Sequence, residues 1–337
     1  MKHRKQKILC VLGIILVCVA IGVLQGGNGE KVYAQTQAQG RTAQTPAPQT
    51  GAPARVYFTR DISPAGLMAV YKALGQNPTG RVAVKITTGE SPRSNHLNPD
   101  LIKDLVQSVN GTLVESNTAY GGRRASTALH KQVARDHGYT AIADVDILDE
   151  NGSISLPVRG GSRLRENFVG SHFKNYDYFV VLSHFKGHTM AGLGGAIKNI
   201  SIGIASSEGK SWIHTAGRSK TGIQGDQNAF LDAMTEAGKS VVDSLNDRIL
   251  YISVMNRLSV DCDCNGNPAE PDMHDIGILS SLDPVALDQA CVDLVYAAPD
   301  GRSLIQRMES RNGIRTINHG AEIGLGSKAY ELVRLNG

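Results

Sequence analysis

A short apolar run, Phe179 to Leu182, breaks off abruptly into a stretch crowded with cations and glycines. No other part of the chain constrains the fold as strongly. The run has the length and composition of a buried strand. After it come His184, Lys186, His188, Lys198, Lys210 and His214, interleaved with Gly187, Gly192, Gly194, Gly195, Gly203 and Gly209. Glycine collects where backbone turns tightly or approaches a ligand without a Cβ in the way. Cationic side chains and bare backbone N–H groups beyond a strand end describe a loop that receives an anion. Tight crossovers use glycine too, so a purely structural reading stands beside this one. The crowding of three histidines and three lysines favours a site.

Around this junction the hydrophobic period switches repeatedly between that of a strand and that of a helix. Strands are expected at Val56 to Phe58, Arg81 to Thr87 and Thr112 to Ser116. Helices are expected from Pro64 to Leu74, Pro99 to Val109 and Ser126 to His137. Ser63 and Pro64 are the residue types that cap and open a helix. Leu101, Ile102, Leu105 and Val106 fall on one helical face. Further strands are expected at Ile154 to Val158, Tyr178 to Leu182, Ile249 to Leu258, Ile276 to Ser280 and Lys328 to Leu335. Arg159 to Val169 reads as a polar excursion. Asn228 to Leu245, Asp283 to Tyr296, Ser303 to Glu309 and His319 to Ile323 read as helices. This alternation predicts an α/β fold, a largely parallel sheet flanked by helices, in one large domain or two lobes. Ligands collect at the carboxyl ends of parallel strands. The segment after Lys85, with Glu90 and His96, and the one after Glu115, with Asn117 and Arg124, would therefore converge with the central loops.

The start of the chain is of another kind. Lys2, Arg4, Lys5 and Lys7 precede an apolar run from Ile8 to Leu24, and Val32-Tyr33-Ala34 offers a small-residue cleavage site. Residues 1–34 therefore read as a signal peptide or, if uncleaved, an N-terminal anchor. The protein is expected to be exported, whether periplasmic, extracellular or held at the outer face of the cytoplasmic membrane. Residues 35–54, rich in Gln, Thr, Ala, Pro and Gly, read as a flexible linker, leaving 55–337 as the domain. Residues 1–34 hold five basic residues and one acidic residue, and the rest of the chain balances at 30 of each. That balance leaves no nucleic-acid footprint, and membrane contact is expected only through the N-terminal segment.

Imidazole suits both proton transfer and metal ligation. His184 and His188 would share a face only on a helix, which Gly187 disfavours, so acid–base or hydrogen-bonding roles are expected of them. Lys198 follows Gly192-Leu193-Gly194-Gly195 without the Gly-Lys-Ser/Thr ending of a phosphate loop. It would pair with a carboxylate or phosphate, form a covalent adduct if desolvated, or take part in a structural ion pair. Cys262 and Cys264, with His274, could ligate zinc or iron. Oxidation competes in an exported protein, for instance between Cys264 and Cys291, and free thiols are the remaining option.

These residues carry a resemblance. Val181 to His188, followed by Gly194-Gly195-Ala196-Ile197-Lys198-Asn199, closely resembles the bacterial family called domain of unknown function 362, whose members are often labelled iron–sulfur-centre proteins. The likeness extends over Gly89-Glu90, Glu115 to Tyr120, His137-Gly138-Tyr139, Asp261 to Cys264, Asp275 to Ile278 and Asp283 to Gln289. Many relatives carry a Cys-x-x-Cys-x-x-Cys insert soon after the position of His214. Arg218 to Gln227 here contains no cysteine, so no ferredoxin-type four-iron cluster is expected. A looser similarity runs to the lactate racemase family, whose glycine-glycine loop presents a lysine to a nickel cofactor.

The resulting expectation is an enzyme or redox accessory protein acting on a small anionic ligand. His184, His188, Lys198 and His214 would be its catalytic groups. Glu90, Asn117, Lys186, Gly192, Gly194, Gly195 and Lys210 would bind the ligand, with backbone N–H groups of Gly192 to Ala196 cradling its charge. The other expectation is a non-catalytic protein of the cell envelope that holds a metal or an anion.

Overall fold

The computed structural model describes residues 52–90 and 92–335; the expected signal segment and nearly all of the linker lie outside them. Residues 51–337 form one compact unit. The expected linker overlaps the fold by one residue: Ala54 opens strand β1 (Ala54–Thr59), its backbone paired to Tyr330.

The first half alternates strand and helix as the pattern predicts. Helix α1 (Pro64–Ala73) is capped by Ser63, whose hydroxyl accepts from the Gly66 N–H. Strand β2 (Val82–Lys85), helix α2 (Pro99–Ser108), strand β3 (Thr112–Glu115) and helix α3 (Thr127–Asp136) follow, then the short strand β4 (Val145–Ile147). Leu101, Ile102, Leu105 and Val106 of α2 are all buried. Burying each stabilises the fold by about 1.5–3 kcal/mol, so the amphipathic face decides where this helix docks.

A hairpin of β5 (Ser153–Pro157) and β6 (Glu166–Gly170) comes next. The second arm falls inside the expected polar excursion; alternation there is masked because Val169 and Phe168 face packed neighbours while Asn167 is buried as a hydrogen-bond donor. Strand β7 (Tyr178–His184) is buried throughout. Beyond it the chain is more regular than an open glycine loop. Strands β8 (Lys186–His188) and β9 (Gly192–Gly194) pair as a small antiparallel hairpin, and helices α4 (Ala196–Ser201) and α5 (Ser207–His214) follow. Helix α6 (Gln227–Leu245), strands β10 (Ile249–Met255) and β11 (Gly277–Ser281), and helix α7 (Pro284–Ala297) continue the chain. Helices α8 (Arg302–Ser310) and α9 (Ile314–Glu322) and strand β12 (Tyr330–Arg334) complete it. Helix α9 starts well before His319 because Ile314 and Ile317 pack into the core.

Eight strands form one sheet in the order β12-β1-β11-β10-β7-β2-β3-β4. Strand β11 runs antiparallel to both neighbours, and every other pairing is parallel. Both faces are covered, as parallel sheets require. Phe179 and Val181 of β7 point into a core shared with α4, α6 and α7, while Val180 and Leu182 point into one shared with α1 and α2. The fold is therefore α/β with a mostly parallel sheet. Strands β3, β2, β7 and β10 are parallel neighbours, so Glu115, Lys85, His184 and Met255 end at one edge of the sheet. Among the described residues, no helix is long and apolar enough to cross a membrane.

Candidate functional site

At that edge lies a cavity of about 430 Å³. Its wall includes His184, Lys186, His188, Lys198, Lys210 and His214, so the cationic stretch does fold around one space. Each element places its residue differently. His184 ends β7, Lys186 and His188 alternate along β8, Lys198 lies on α4, and Lys210 and His214 lie one turn apart on α5. Asn199 fastens α4 to the sheet, donating to the Leu182 carbonyl and accepting from Lys85 Nζ at 3.0 Å.

The positive charges are not equivalent. Lys186 is paired with the Asp263 carboxylate. His184 meets Asp263 through Nδ1 at 3.0 Å and the Asn256 carbonyl through Nε2 at 2.6 Å, a setting that a ring protonated on both nitrogens satisfies. Asp263 is thus the shared counter-ion. Burial alone would raise its carboxyl, but Lys186 and His184 outweigh that and hold it below the usual carboxylate range. Arg124, also in the wall, is bound to Glu115 at 2.9 Å and lies 3.5 Å from Glu90. Glu115 accepts in addition from Thr88 and His130. Lys210 donates to the Ala205 carbonyl at 2.7 Å.

Lys198 differs from these. Among the described residues its ammonium has neither a hydrogen-bond nor an ion-pair partner. Burial, then repulsion from Lys186, Lys85, Arg124 and Lys210, brings it down to about 7. Burial likewise lowers Lys85 to about 7 and Lys210 to about 8. A cluster whose members resist protonation in one another's presence is a cluster short of negative charge.

The two remaining imidazoles are oriented by backbone. His188 Nδ1 accepts from the N–H groups of Met190 and Ala191, which leaves the proton of the neutral ring on Nε2. Burial, together with Lys198, His214 and Lys186, keeps that ring neutral by pushing its pKa well below the ordinary value. His214 has the opposite tautomer: Nδ1 lies 2.7 Å from the Lys210 carbonyl and so carries the proton, which leaves Nε2 as an acceptor. Burial lowers this ring to about 4. The cavity therefore contains one imidazole that donates, one that accepts, and an unpaired ammonium.

Several expected site residues take other positions. Glu90 and Asn117 stand behind the wall. Glu90 supports Arg124, and Asn117 holds Thr127 and His130 while its backbone N–H donates to Asp149. Gly194 and Gly195 line the cavity, but Gly192 does not. At Gly192 the backbone has φ +80°, and an added Cβ would lie 2.9 Å from Gly313. The expected backbone cradle is also corrected. The N–H groups of Ala196 and Ile197 are taken by the Asp288 carboxylate at 2.7 and 3.0 Å, and a Cβ on Gly195 would collide with that carboxylate. These glycines admit an internal cap for α4, and the N–H groups of Ala196 and Ile197 are not free to face the cavity.

The cysteine cluster is corrected as well. Cys262 and Cys264 form a disulfide with each other, and Cys291 is a buried free thiol on α7 rather than a partner of Cys264. His274 is exposed and paired with Asp300 at 2.8 Å, so it is not a ligand beside the cysteines. His188 is the imidazole whose ring nitrogen lies within 4.8 Å of both sulfurs. Bonded sulfurs offer no thiolate, and the His188 nitrogen not held by backbone donors carries a proton. Zinc and iron need the lone pairs that both groups have committed elsewhere. This donor set does not fit either metal.

The sequence places Glu115 and Arg124 near the site and Asp263 between the cysteines, but it assigns none of them the charge-balancing role they take. Asp263 was flanked by the signal, standing between the two cysteines, but its partners lie 77 and 79 residues away.

No curated protein matches this chain significantly. Among solved structures, the lactate racemase apoprotein from Thermoanaerobacterium thermosaccharolyticum is 15% identical over 59% of this chain and 50% of its own, with a TM-score of 0.36. A Thermotoga maritima protein solved by the Northeast Structural Genomics Consortium is 11% identical over 67% of this chain and 57% of its own, with a TM-score of 0.41. The chain thus spans about half the length of either. The family profile described as domain of unknown function (DUF362) matches residues 82–293, which run from β2 into α7 and include the whole cavity wall. The chain belongs to that family.

Proposed function

We propose that this chain is an exported protein that takes a small anionic ligand into the cavity and acts on it as an enzyme or redox accessory. One observation carries the reading: Lys198 presents an ammonium to the cavity with no counter-ion among the described residues, while burial and then neighbouring cations depress its proton affinity. A bound anion relieves that repulsion, and the partly desolvated setting strengthens the attraction. His188 Nε2–H donates to the ligand, and His214 Nε2 is placed to take a proton from it. His184 and Lys186 act by holding Asp263, and Arg124 by holding Glu115. The apolar run at the N-terminus and the Cys262–Cys264 disulfide both suit an exported, oxidising setting.

Native mass spectrometry of the purified chain tests for a co-purifying anion, and calorimetry with sulfate tests the site directly. Lys198→Met is expected to weaken sulfate binding by about tenfold or more, the worth of one charge-assisted hydrogen bond. A wild-type protein indifferent to sulfate and free of any bound anion refutes the proposal. A non-catalytic anion binder is the second reading, favoured by the engagement of both His184 nitrogens within the protein. It expects His214→Gln to leave ligand capture intact with no turnover to lose.

A further inference from the structure

The Cys262–Cys264 disulfide lies in the wall of the same cavity as Lys198. Only one residue separates the cysteines, so the crosslink removes little freedom from the unfolded chain and is a poor stabiliser. Cys262 is buried, whereas Cys264 is partly open. Lys186 and Lys198 flank Gly194 on the cavity side, and the His188 ring lies within 4.8 Å of both sulfurs with its Nε2–H uncommitted among the described residues.

We propose that this disulfide is a reactive group and that the cavity takes small anionic thiols, which it oxidises by thiol–disulfide exchange. The proposal rests on the anion-binding reading above and names its ligand class. A substrate thiolate attacks Cys264 Sγ, the more open sulfur; the Cys262–Cys264 bond breaks, and Cys262 leaves as a thiolate. The His188 N–H and the nearby ammoniums stabilise that thiolate, and a better-stabilised leaving thiolate departs faster. A second substrate thiolate then attacks the substrate sulfur of the mixed disulfide and releases Cys264. Two electrons pass from two thiols to the protein, giving one substrate disulfide and one protein dithiol, with the two thiol protons ending on the cysteines.

The test uses the full oxidised chain and three thiols at equal thiolate concentration and low salt: 2-mercaptoethanesulfonate (anionic), 2-mercaptoethanol (neutral) and cysteamine (cationic). Freed cysteines are trapped with iodoacetamide and located by peptide mapping, which keeps Cys10 and Cys18 apart from the Cys262–Cys264 pair; buried Cys291 should stay unmodified. The anionic thiol is expected to open the disulfide about tenfold faster than the neutral one, the lower end of electrostatic steering. That advantage should vanish in Lys198→Met and under saturating sulfate, and peptide mapping should find the mixed disulfide on Cys264. If Lys198→Met does not fold, sulfate competition on the wild type decides the matter alone. Equal rates for the three thiols, or cysteines isolated as free thiols, overturn the proposal. Sulfate binding without a preference for the anionic thiol sinks this inference but leaves the anion site standing; neither binding nor preference sinks both.

Discussion

Lys198→Met exchanges a cationic side chain for an apolar one of similar length at a position with no counter-charge. In the wild type the ammonium is brought from its ordinary 10.5 to about 7. At 1.36 kcal/mol per pKa unit, that depression corresponds to about 5 kcal/mol of destabilisation at pH 6. Lys198 is only partly buried and the cavity admits water, so screening should leave roughly half, about 2–3 kcal/mol. The sign follows from linkage. A group whose folded pKa is depressed costs most where both states are protonated, below about 7, and costs nothing above 10.5, where both are neutral. Methionine does not titrate. The variant should therefore be more stable than the wild type at pH 6, and the gap should close as pH rises toward 10. Urea denaturation at pH 6, 8 and 10, with equal m-values as the check on comparable unfolding, measures this. Equal or lower stability of Lys198→Met at pH 6, or a gap that ignores pH, refutes the account of Lys198 as a partly buried, unpaired charge. Loss of anion binding together with a more stable fold would mark the lysine as a group kept for function.

Sulfate affinity should itself depend on pH. Lys198 and Lys210 titrate near 7 and 8 in the empty protein, so binding above about pH 7 must take up a proton. Affinity should fall by about tenfold per pH unit there, read by calorimetry in buffers of different ionisation enthalpy. Asp288→Asn tests the internal cap of α4. Burial raises Asp288 to about 7, so the wild type's stability advantage from this group is complete below about 4 and is lost as pH rises through about 7. Asparagine does not titrate, so the variant's deficit should be larger at pH 5 than at pH 8, by roughly 1–3 kcal/mol for the two pH units below about 7. A constant difference between the two pH values sinks that assignment.

The strand and helix pattern was legible wherever one face of an element is apolar, as in α2, or where a cap is written in place, as at Ser63-Pro64. It was illegible through Gly192 to Gly209. There glycines mark the ends of very short helices and of a hairpin, and a window long enough to show a period always contains a breaker. The cationic residues of the site could be picked out because lysine and histidine are rarely buried without a reason. Which of them lacks a partner could not, because Asp263, Glu115 and Asp288 reach their partners from distant parts of the chain. His274 illustrates the converse. It lies 10 residues from Cys264 in sequence, yet the chain between them carries it to the surface and Asp300.

Asp263 sits inside the ring that its two cysteine neighbours close. The anchor for Lys186 and His184 is therefore tethered on both sides by one covalent link. On the proposed thiol chemistry, sulfur oxidation state and the arrangement of charge in the cavity are coupled through Asp263. By reciprocity, whatever factor separates the oxidised from the reduced protein in its hold on an anion must also separate the anion-loaded from the empty protein in its ease of reduction.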